Sequence, residues 1–150
     1  MTLRPWLFSD IKEILNIEKE CFKDAWSMEM LADLFLSNGF YGLVAIKNDK
    51  ILGYIAIKYV LDEGEINIVA TKKDSQRQGV ATILLETAQK ELLEKGVNKL
   101  FLEVRRSNLN AQALYEKCGY KYVAVRQNYY QGEEDALIMS KILGSVTQSN

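Results

Sequence analysis

The sequence contains no histidine, one proline and two cysteines among its 150 residues. The absence of histidine excludes Ser-His and Cys-His nucleophile pairs and also histidine-ligated metal sites. Any general base must therefore be a carboxylate, a tyrosine, a lysine or a water held by one of them. Cys21 and Cys118 are too few for a disulfide scaffold or a four-thiolate zinc site, so two small buried thiols and no metal are expected.

The sequence also lacks a strong charge excess and a long apolar run. Its formal net charge of -1 argues against broad nucleic-acid binding, which usually needs a basic excess. No apolar run reaches the roughly 18 residues that predict a membrane span. The segment Met1–Asp10 has no basic stretch followed by an apolar one, so no secretory signal is predicted and a cytoplasmic location is expected.

Hydrophobic periodicity and turn residues predict one domain, residues 1–143, with a frayed polar tail, residues 144–150. The predicted helices are Asp10–Cys21 with Ser9 as N-cap, Met28–Leu36 with Ser27 as N-cap, Val80–Lys95 and Leu109–Cys118. The predicted strands are Phe40–Lys47, Ile51–Leu61, Glu65–Ala70, Lys99–Val104, Tyr120–Asn128 and Asp135–Ile142, with a further short strand at Thr2–Pro5.

The order of these elements predicts an α+β fold, because three consecutive strands are followed by a strand–helix–strand crossover. Turns at Asn48-Asp49 and Asp62-Glu63-Gly64 would join the first three long strands as an antiparallel meander. The crossover then adds a parallel pair, and a hairpin around Gly132 closes the sheet. The expected architecture is a mixed, mostly antiparallel central sheet with helices on both faces.

The run Gln76-Arg77-Gln78-Gly79-Val80-Ala81 is the most informative motif. It joins a short apolar strand and a polar loop to a long helix, so several free backbone N–H groups meet at a helix N-terminus. The helix dipole adds partial positive charge there, which suits a phosphate or pyrophosphate. Gly79 has no side chain to block a ligand, and small Ala81 extends this access. A nucleotide-hydrolysing site is excluded because no Gly-Lys-Ser/Thr follows the loop.

Three residues beyond this loop are candidates for chemistry or ligand contact. Glu103 shares a strand face with Phe101. A carboxylate that is partly buried in a strand can have a raised pKa and act as a base. Alternatively, Glu103 could simply face solvent or pair with Arg105 or Lys99. Tyr115 could donate a proton to a leaving thiolate or could pack as an aromatic against the sheet. Asn108 could cap its helix or orient a ligand.

Several motifs occur in order along the chain: Asn67-Ile68-Val69-Ala70, the loop from Gln76 to Ala81, Phe101-Leu102-Glu103-Val104-Arg105 to Asn108, and Ala113-Leu114-Tyr115-Glu116 to Gly119-Tyr120. Over roughly residues 10–142, this series resembles the GCN5-related N-acetyltransferase (GNAT) superfamily. Further motifs are Ser107-Asn108 after Leu102-Glu103-Val104-Arg105, Asn128-Tyr129-Tyr130, Glu134-Asp135-Ala136, and Phe22 with Trp26-Ser27. With these, the chain most resembles the bacterial ribosomal-protein-alanine N-acetyltransferases within that superfamily.

The resemblance implies a role for each matching position. The co-substrate would be acetyl-CoA, with no metal. Ile68, Val69 and Ala70 would pair their backbone with its pantetheine arm, and Asn108 would contact it. Its pyrophosphate would be held by Gln76, Arg77, Gln78, Gly79, Val80 and Ala81. Glu103 matches the proposed proton acceptor, Tyr115 the proton donor, and Tyr129 and Tyr130 the acceptor-peptide site.

The acceptor is less determined than the donor. A protein α-amine, with a pKa near 8, is roughly a quarter neutral at pH 7.5, whereas lysine is only about 0.1% neutral. A site without histidine therefore favours an α-amine as acceptor. The resemblance implies that this α-amine belongs to a small-subunit ribosomal protein that begins with alanine. Glu133, Glu134 and Asp135 could attract such a basic peptide or could form a solvated turn. A small-amine acetyltransferase and a non-catalytic acyl-CoA-binding regulator remain alternatives, and a monomer or weak dimer is expected.

Overall fold

The computed structural model describes residues 1–130 and 134–144, with Tyr130 described in its backbone alone. In these ranges the strands are β1 (Thr2–Pro5), β2 (Phe40–Lys47), β3 (Lys50–Val60), β4 (Glu63–Thr71), β5 (Lys99–Arg105), β6 (Lys121–Tyr130) and β7 (Glu134–Ile142). The α-helices are α1 (Ile11–Cys21), α2 (Met28–Leu36), α3 (Val80–Glu94) and α4 (Leu109–Lys117). The predicted turn at Gly132, Glu133 and the predicted tail after Gly144 lie outside the described residues.

The described strands form one seven-stranded sheet in the order β1-β2-β3-β4-β5-β7-β6. Strands β2, β3 and β4 form the predicted antiparallel meander. Strand β5 joins β4 in parallel through α3, which is the predicted crossover. The remaining pairs are antiparallel. The α+β class, the mixed and mostly antiparallel sheet, and the positions of the elements are therefore confirmed.

Two apolar clusters cover the two faces of the sheet, as the amphipathic patterns require. The cluster on the α3 and α4 face includes Leu84, Leu92, Leu102 and Tyr115. The cluster on the α1 and α2 face includes Ile14, Leu31, Tyr54 and Ile68. None of the helices in the described ranges is long and apolar enough to cross a membrane.

The helix starts show which capping predictions were right. Ser27 Oγ accepts a hydrogen bond from the Met30 N–H at 3.1 Å, so Ser27 is the predicted N-cap of α2. The prediction of Ser9 as N-cap of α1 is wrong, because Ser9 lies inside a 3-10 turn. Asp10 is the residue that precedes α1, but its side chain makes no capping bond to that helix; its carboxylate instead accepts from the Leu7 N–H at 2.6 Å, at the start of the 3-10 turn.

The turn between β3 and β4 lies earlier than predicted. Leu61 and Asp62 form it, with Leu61 at a φ of 55°, and β4 already begins at Glu63. Gly64 is therefore a strand residue: a Cβ on it would lie 2.7 Å from a Leu100 side-chain carbon. Glycine is therefore needed at position 64 for close packing against Leu100 and not for a turn. Several other element ends differ from prediction by one or two residues, which is the usual uncertainty of element boundaries.

Candidate active site

Strands β4 and β5 separate part-way along their length. Their parallel pairing runs from Glu63 opposite Lys99 to Ile66 opposite Leu102 and is not continued beyond that pair in the described structure. Beyond it, β4 stays paired with β3 and β5 stays paired with β7. The sheet therefore contains a wedge-shaped split whose edges are two strand backbones, and an extended ligand could add to them as a strand does.

A β-bulge in β4 lies at the head of this split. Ile66 pairs with Ile57 but Ile68 pairs with Ala56, so Asn67 is the extra residue. The bulge changes the side of the sheet on which alternate β4 side chains lie. Ile66 packs in the cluster on the α3 face, whereas Ile68 packs in the cluster on the α1 face. The side-chain Oδ1 of Asn67 is buried without a hydrogen-bond partner among the described residues. A ligand or water in the split would satisfy this oxygen.

The three β4 residues predicted to bind the cofactor lie along the split. The side chains of Ile68 and Ala70 are each 5% exposed and belong to the core, while Val69 packs partly buried on the opposite face. The side chains of Ile68 and Ala70 are therefore not available to a ligand, whereas the backbone of all three residues borders the split. This arrangement is compatible with the predicted strand-like pairing, which needs no side-chain contact.

The predicted phosphate loop lies at the N-terminus of α3. Gly79 is the N-cap in the left-handed region, with a φ of 81° and no side-chain cap, and Arg77 also has a positive φ of 64°. The first turn of α3 carries no acidic residue, so nothing there offsets the positive end of the helix dipole. Gln76 closes the loop by donating from Nε2 to the Thr71 carbonyl at 3.1 Å.

Space around this helix end is open. A Cβ built on Gly79 meets no heavy atom within 4 Å. Gln76, Arg77 and Gln78 are exposed, whereas the Val80 side chain is buried in the core, so Val80 can offer a ligand only its backbone N–H. Ala81 is partly buried. The loop therefore has the open, positively polarised backbone that a pyrophosphate requires.

Glu103 follows the point where β5 leaves β4, and its carboxylate forms an ion pair. Glu103 Oε1 lies 3.2 Å from Nη1 of Arg126, and the Glu103 side chain is 17% exposed. The expected alternative partners were Arg105 and Lys99, but the observed partner comes from β6. The Arg126 guanidinium in turn lies over the ring of Tyr129, 5.3 Å from its centre. The structure thus connects the candidate base to the candidate acceptor-site tyrosine through Arg126.

A second carboxylate belongs to the same surroundings. The register places Glu65 opposite Phe101, one step along the strand face from Glu103. Burial raises the pKa of Glu65, the negative charge of Glu103 raises it further, and Arg126 opposes both. Sequence reasoning missed Glu65 and Arg126. Arg126 lies on β6, and β7 lies between β6 and the β5 strand that carries Glu103. Only the order of the strands in the sheet brings the two residues near each other, and local sequence does not reveal that order.

Tyr115 lies on the opposite face of β5 from Glu103. Tyr115 is 7% exposed and packs in the cluster that holds Leu102 and Val104. Glu103 alternates with these two residues along the strand and therefore faces the other side. The two predicted catalytic residues are thus not in direct contact but flank β5 beside the split. A reacting group passing through the split would have a carboxylate on one side and a phenol on the other.

Helix α4, which carries Tyr115, is anchored to the end of β5. Asn108 Oδ1 accepts from the Ala111 N–H at 3.1 Å, so Asn108 is the N-cap of this helix. Buried Gln112 donates from Nε2 to the carbonyl groups of Arg105 and Arg106. The Tyr115 ring also meets the Tyr120 ring edge-on, with centroids 5.8 Å apart. These contacts fix the position of the phenol relative to β5.

The predicted peptide-binding residues lie on the β6–β7 hairpin. Tyr129 is 48% exposed, as a binding residue should be. The Tyr130 side chain and Glu133 lie outside the described residues. Glu134 pairs with Arg105 at 2.9 Å and Asp135 with Arg106 at 3.1 Å, so these two acids have partners within the chain.

Sequence comparison gives the class of protein to which this fold and split belong. The chain belongs to the Acetyltransferase (GNAT) family, whose pattern matches residues 11–120. It is 36% identical over 135 residues to the ribosomal protein bS18-alanine N-acetyltransferase of Escherichia coli K12, covering 88% of this chain and 90% of that protein. It is 30% identical over 155 residues to an N-alpha-acetyltransferase of Saccharolobus solfataricus, covering 95% of this chain and 93% of that protein.

Structural comparison agrees with the sequence comparison. The crystal structure of the ribosomal-protein-S18-alanine N-acetyltransferase from Escherichia coli matches with a TM-score of 0.91 and 32% sequence identity. The match covers 99% of this chain and 97% of that one. The predicted resemblance to this superfamily is confirmed, and the chain is an N-acetyltransferase.

Proposed function

We propose that this protein transfers an acetyl group from acetyl-CoA to the α-amine of a protein that begins with alanine, ribosomal protein bS18 or its counterpart. One observation carries the proposal: the split between β4 and β5 has Glu103 on one face and Tyr115 on the other. The near full-length similarity to an enzyme named for this substrate supports the choice of acceptor.

The binding of acetyl-CoA is assigned to the split and the phosphate loop. The backbone of Ile68 to Ala70 pairs with the pantetheine arm, and the residues from Gln76 to Ala81 hold the pyrophosphate. Asn108 contacts the cofactor with the part of its amide that the helix cap does not use. No side chain on these β4 positions needs to move, because Ile68 and Ala70 are already packed in the core.

The reaction is a direct attack in a ternary complex. The neutral amine nitrogen bonds to the thioester carbonyl carbon, a backbone N–H of β4 polarises that carbonyl, and the carbon–sulfur bond then breaks. The proton lost from nitrogen passes to Glu103, directly or through a water. Tyr115 donates a proton to the departing CoA thiolate. Each proton moves on its own face of β5, which matches the separation of the two residues.

An acidic surrounding suits an incoming α-ammonium group. Glu65 and Glu103 supply two carboxylates, and Arg126 supplies one cation. Two carboxylates and one guanidinium leave an excess of one negative charge, which an arriving ammonium group would balance. The ammonium would also compete with Arg126 for the Glu103 carboxylate. Tyr129, exposed beside Arg126, then contacts the first residues of the peptide. A cytoplasmic location follows from the proposed substrate.

A comparison of acceptors tests this proposal. The purified protein would be given acetyl-CoA with an alanine-starting basic peptide, with the same peptide blocked at its α-amine, and with a panel of polyamines and aminoglycosides. We expect turnover on the free peptide alone. Faster turnover on a small amine would replace the proposed acceptor, and binding of acetyl-CoA without turnover on any amine would indicate a regulator instead of an enzyme.

Replacing Tyr115 by phenylalanine tests the proton donor. Turnover of the peptide should fall by about 100-fold, the usual contribution of a positioned general acid, while acetyl-CoA affinity measured by calorimetry stays unchanged. Tyr120→Phe is the matched control, because the buried Tyr120 ring packs against Tyr115 and, in the described structure, its hydroxyl donates to Gln89 at 2.8 Å. Full turnover in Tyr115→Phe would exclude the donor role.

A further inference from the structure

Arg105 connects two segments that flank the Glu103 face of the sheet. Its Nη1 donates to Oε1 of Glu134 at 2.9 Å, at the start of β7 in the β6–β7 hairpin. Its Nη2 forms an ion pair with Asp24, which lies in the loop between α1 and α2. Asp24 and Glu134 are far apart in sequence, so the arginine fork joins segments that local structure does not hold together.

The position of Arg105 relates this contact to the reaction. Arg105 lies two residues after Glu103 in β5, so the two side chains share a face of the strand. Arg126 and Tyr129 lie on the same side through the ion pair with Glu103. The Arg105 bridge therefore spans the side from which an acceptor amine would approach Glu103.

Each of the two joined segments has a second attachment of its own. The backbone N–H of Trp26 donates at 3.0 Å to Glu18, a carboxylate 1% exposed that also accepts from the Tyr54 hydroxyl. Glu134 accepts from the Ser107 N–H at 2.7 Å, and the hydrogen bonds from Ser107 and Arg105 lower the pKa of Glu134. Loss of Arg105 should thus change the spacing between the segments without unfolding either.

We propose that Arg105 is a positioning residue for the acceptor peptide, which fixes the distance between the Asp24 loop and the β6–β7 hairpin. The inference rests on the proposed acceptor site on this face. A guanidinium suits the task because its planar fork can bind two carboxylates at once, whereas a lysine ammonium is a single point charge. The three side chains are 25% to 37% exposed, so solvent screens the bridge only in part.

Steady-state kinetics of Arg105→Lys and Arg105→Ala give the first test. The KM for the peptide should rise about fivefold to tenfold, as for the loss of a coupled pair of charged contacts, with a smaller change in kcat. The KM for acetyl-CoA should stay unchanged. Asp24→Asn should also raise the peptide KM, and its effect should be smaller when it is added to Arg105→Ala, because the Asp24–Arg105 contact is then already lost.

Arg106→Ala is the matched control. Arg106 is the next residue and also pairs with an acid of β7, Asp135, but it is 56% exposed and does not reach the Asp24 loop. Its peptide KM should equal that of the unmodified protein. An unchanged peptide KM in both Arg105 variants would overturn the proposal, as would an equal rise in the KM for acetyl-CoA.

Hydrogen–deuterium exchange provides a test that does not depend on the acceptor. In Arg105→Lys, amides of residues 22–27 and of the facing ends of β6 and β7 should exchange faster, while those of α3 do not change. Unchanged exchange in both segments would overturn the bridge even if the enzyme is active. If the unmodified protein does not acetylate the peptide but Arg105→Lys shows the expected exchange, the bridge stands and the proposed acceptor fails.

Discussion

Glu103→Gln is expected to lower turnover of an alanine-starting peptide by about 100-fold to 1,000-fold, since a positioned general base contributes this much. Glutamine keeps the size of the side chain and a carbonyl oxygen that can still accept from Arg126, but it cannot take the proton of the amine. The affinity for acetyl-CoA should not change, because the phosphate loop lies at the other end of the split. Stopped or continuous thiol-release assays would measure the turnover.

Glu63→Gln is the control for this substitution. Glu63 also lies in a strand that borders the split, but it is exposed at the start of β4, where the two strands are still paired. Its removal should leave turnover intact. If Glu103→Gln retained the activity of the Glu63→Gln protein, the proton would have to leave by another group, and Glu65 would be the next carboxylate to test.

Gly79→Trp is expected to abolish acetyl-CoA binding in calorimetry. The open space beside Gly79 holds no protein atom within 4 Å, so an indole there would project where the pyrophosphate is proposed to lie. The left-handed φ of 81° adds backbone strain, at a cost of about 1–2 kcal/mol in the free energy of folding for a residue with a Cβ.

Gly96→Trp separates blocked binding from strain. Gly96 has a φ of 93° at the C-terminal end of α3, and a Cβ there also meets no heavy atom within 4 Å. Both substitutions should lower the free energy of unfolding by similar amounts, but only Gly79→Trp should lose acetyl-CoA. Unchanged affinity in Gly79→Trp, or an equal loss in Gly96→Trp, would remove the phosphate loop from the binding site.

Most of the fold followed from local signals in the sequence. Ser27 caps α2 through a bond to a residue three positions away, and the Asn48-Asp49 turn has the positive φ values that a tight hairpin needs. The errors arose where distant residues decide. Ser9 and Asp10 belong to a 3-10 turn that precedes α1, and the Asp10 carboxylate there binds Leu7 N–H and Arg4 of β1, the latter at 2.8 Å. Gly64 is required by Leu100 of β5 rather than by a turn.

The site shows the same division between local and distant causes. The phosphate loop is a continuous strand–loop–helix segment, so its geometry could be predicted from residues 66–95. The surroundings of Glu103 could not, because Arg126 approaches across β7 and the β4 bulge at Asn67 sets where the split begins. The placement of Glu103 and Tyr115 on opposite faces of β5 likewise depended on strand alternation combined with the position of α4.

The most direct test of the account is the location of the acetyl group on a peptide that offers both kinds of amine. The peptide would begin with alanine, carry several internal lysines, and be incubated with acetyl-CoA and the protein. Tandem mass spectrometry would then locate the product's acetyl group. The account predicts one acetyl group on the α-nitrogen of the first alanine; acetylation of lysine side chains with a free N-terminus would contradict it.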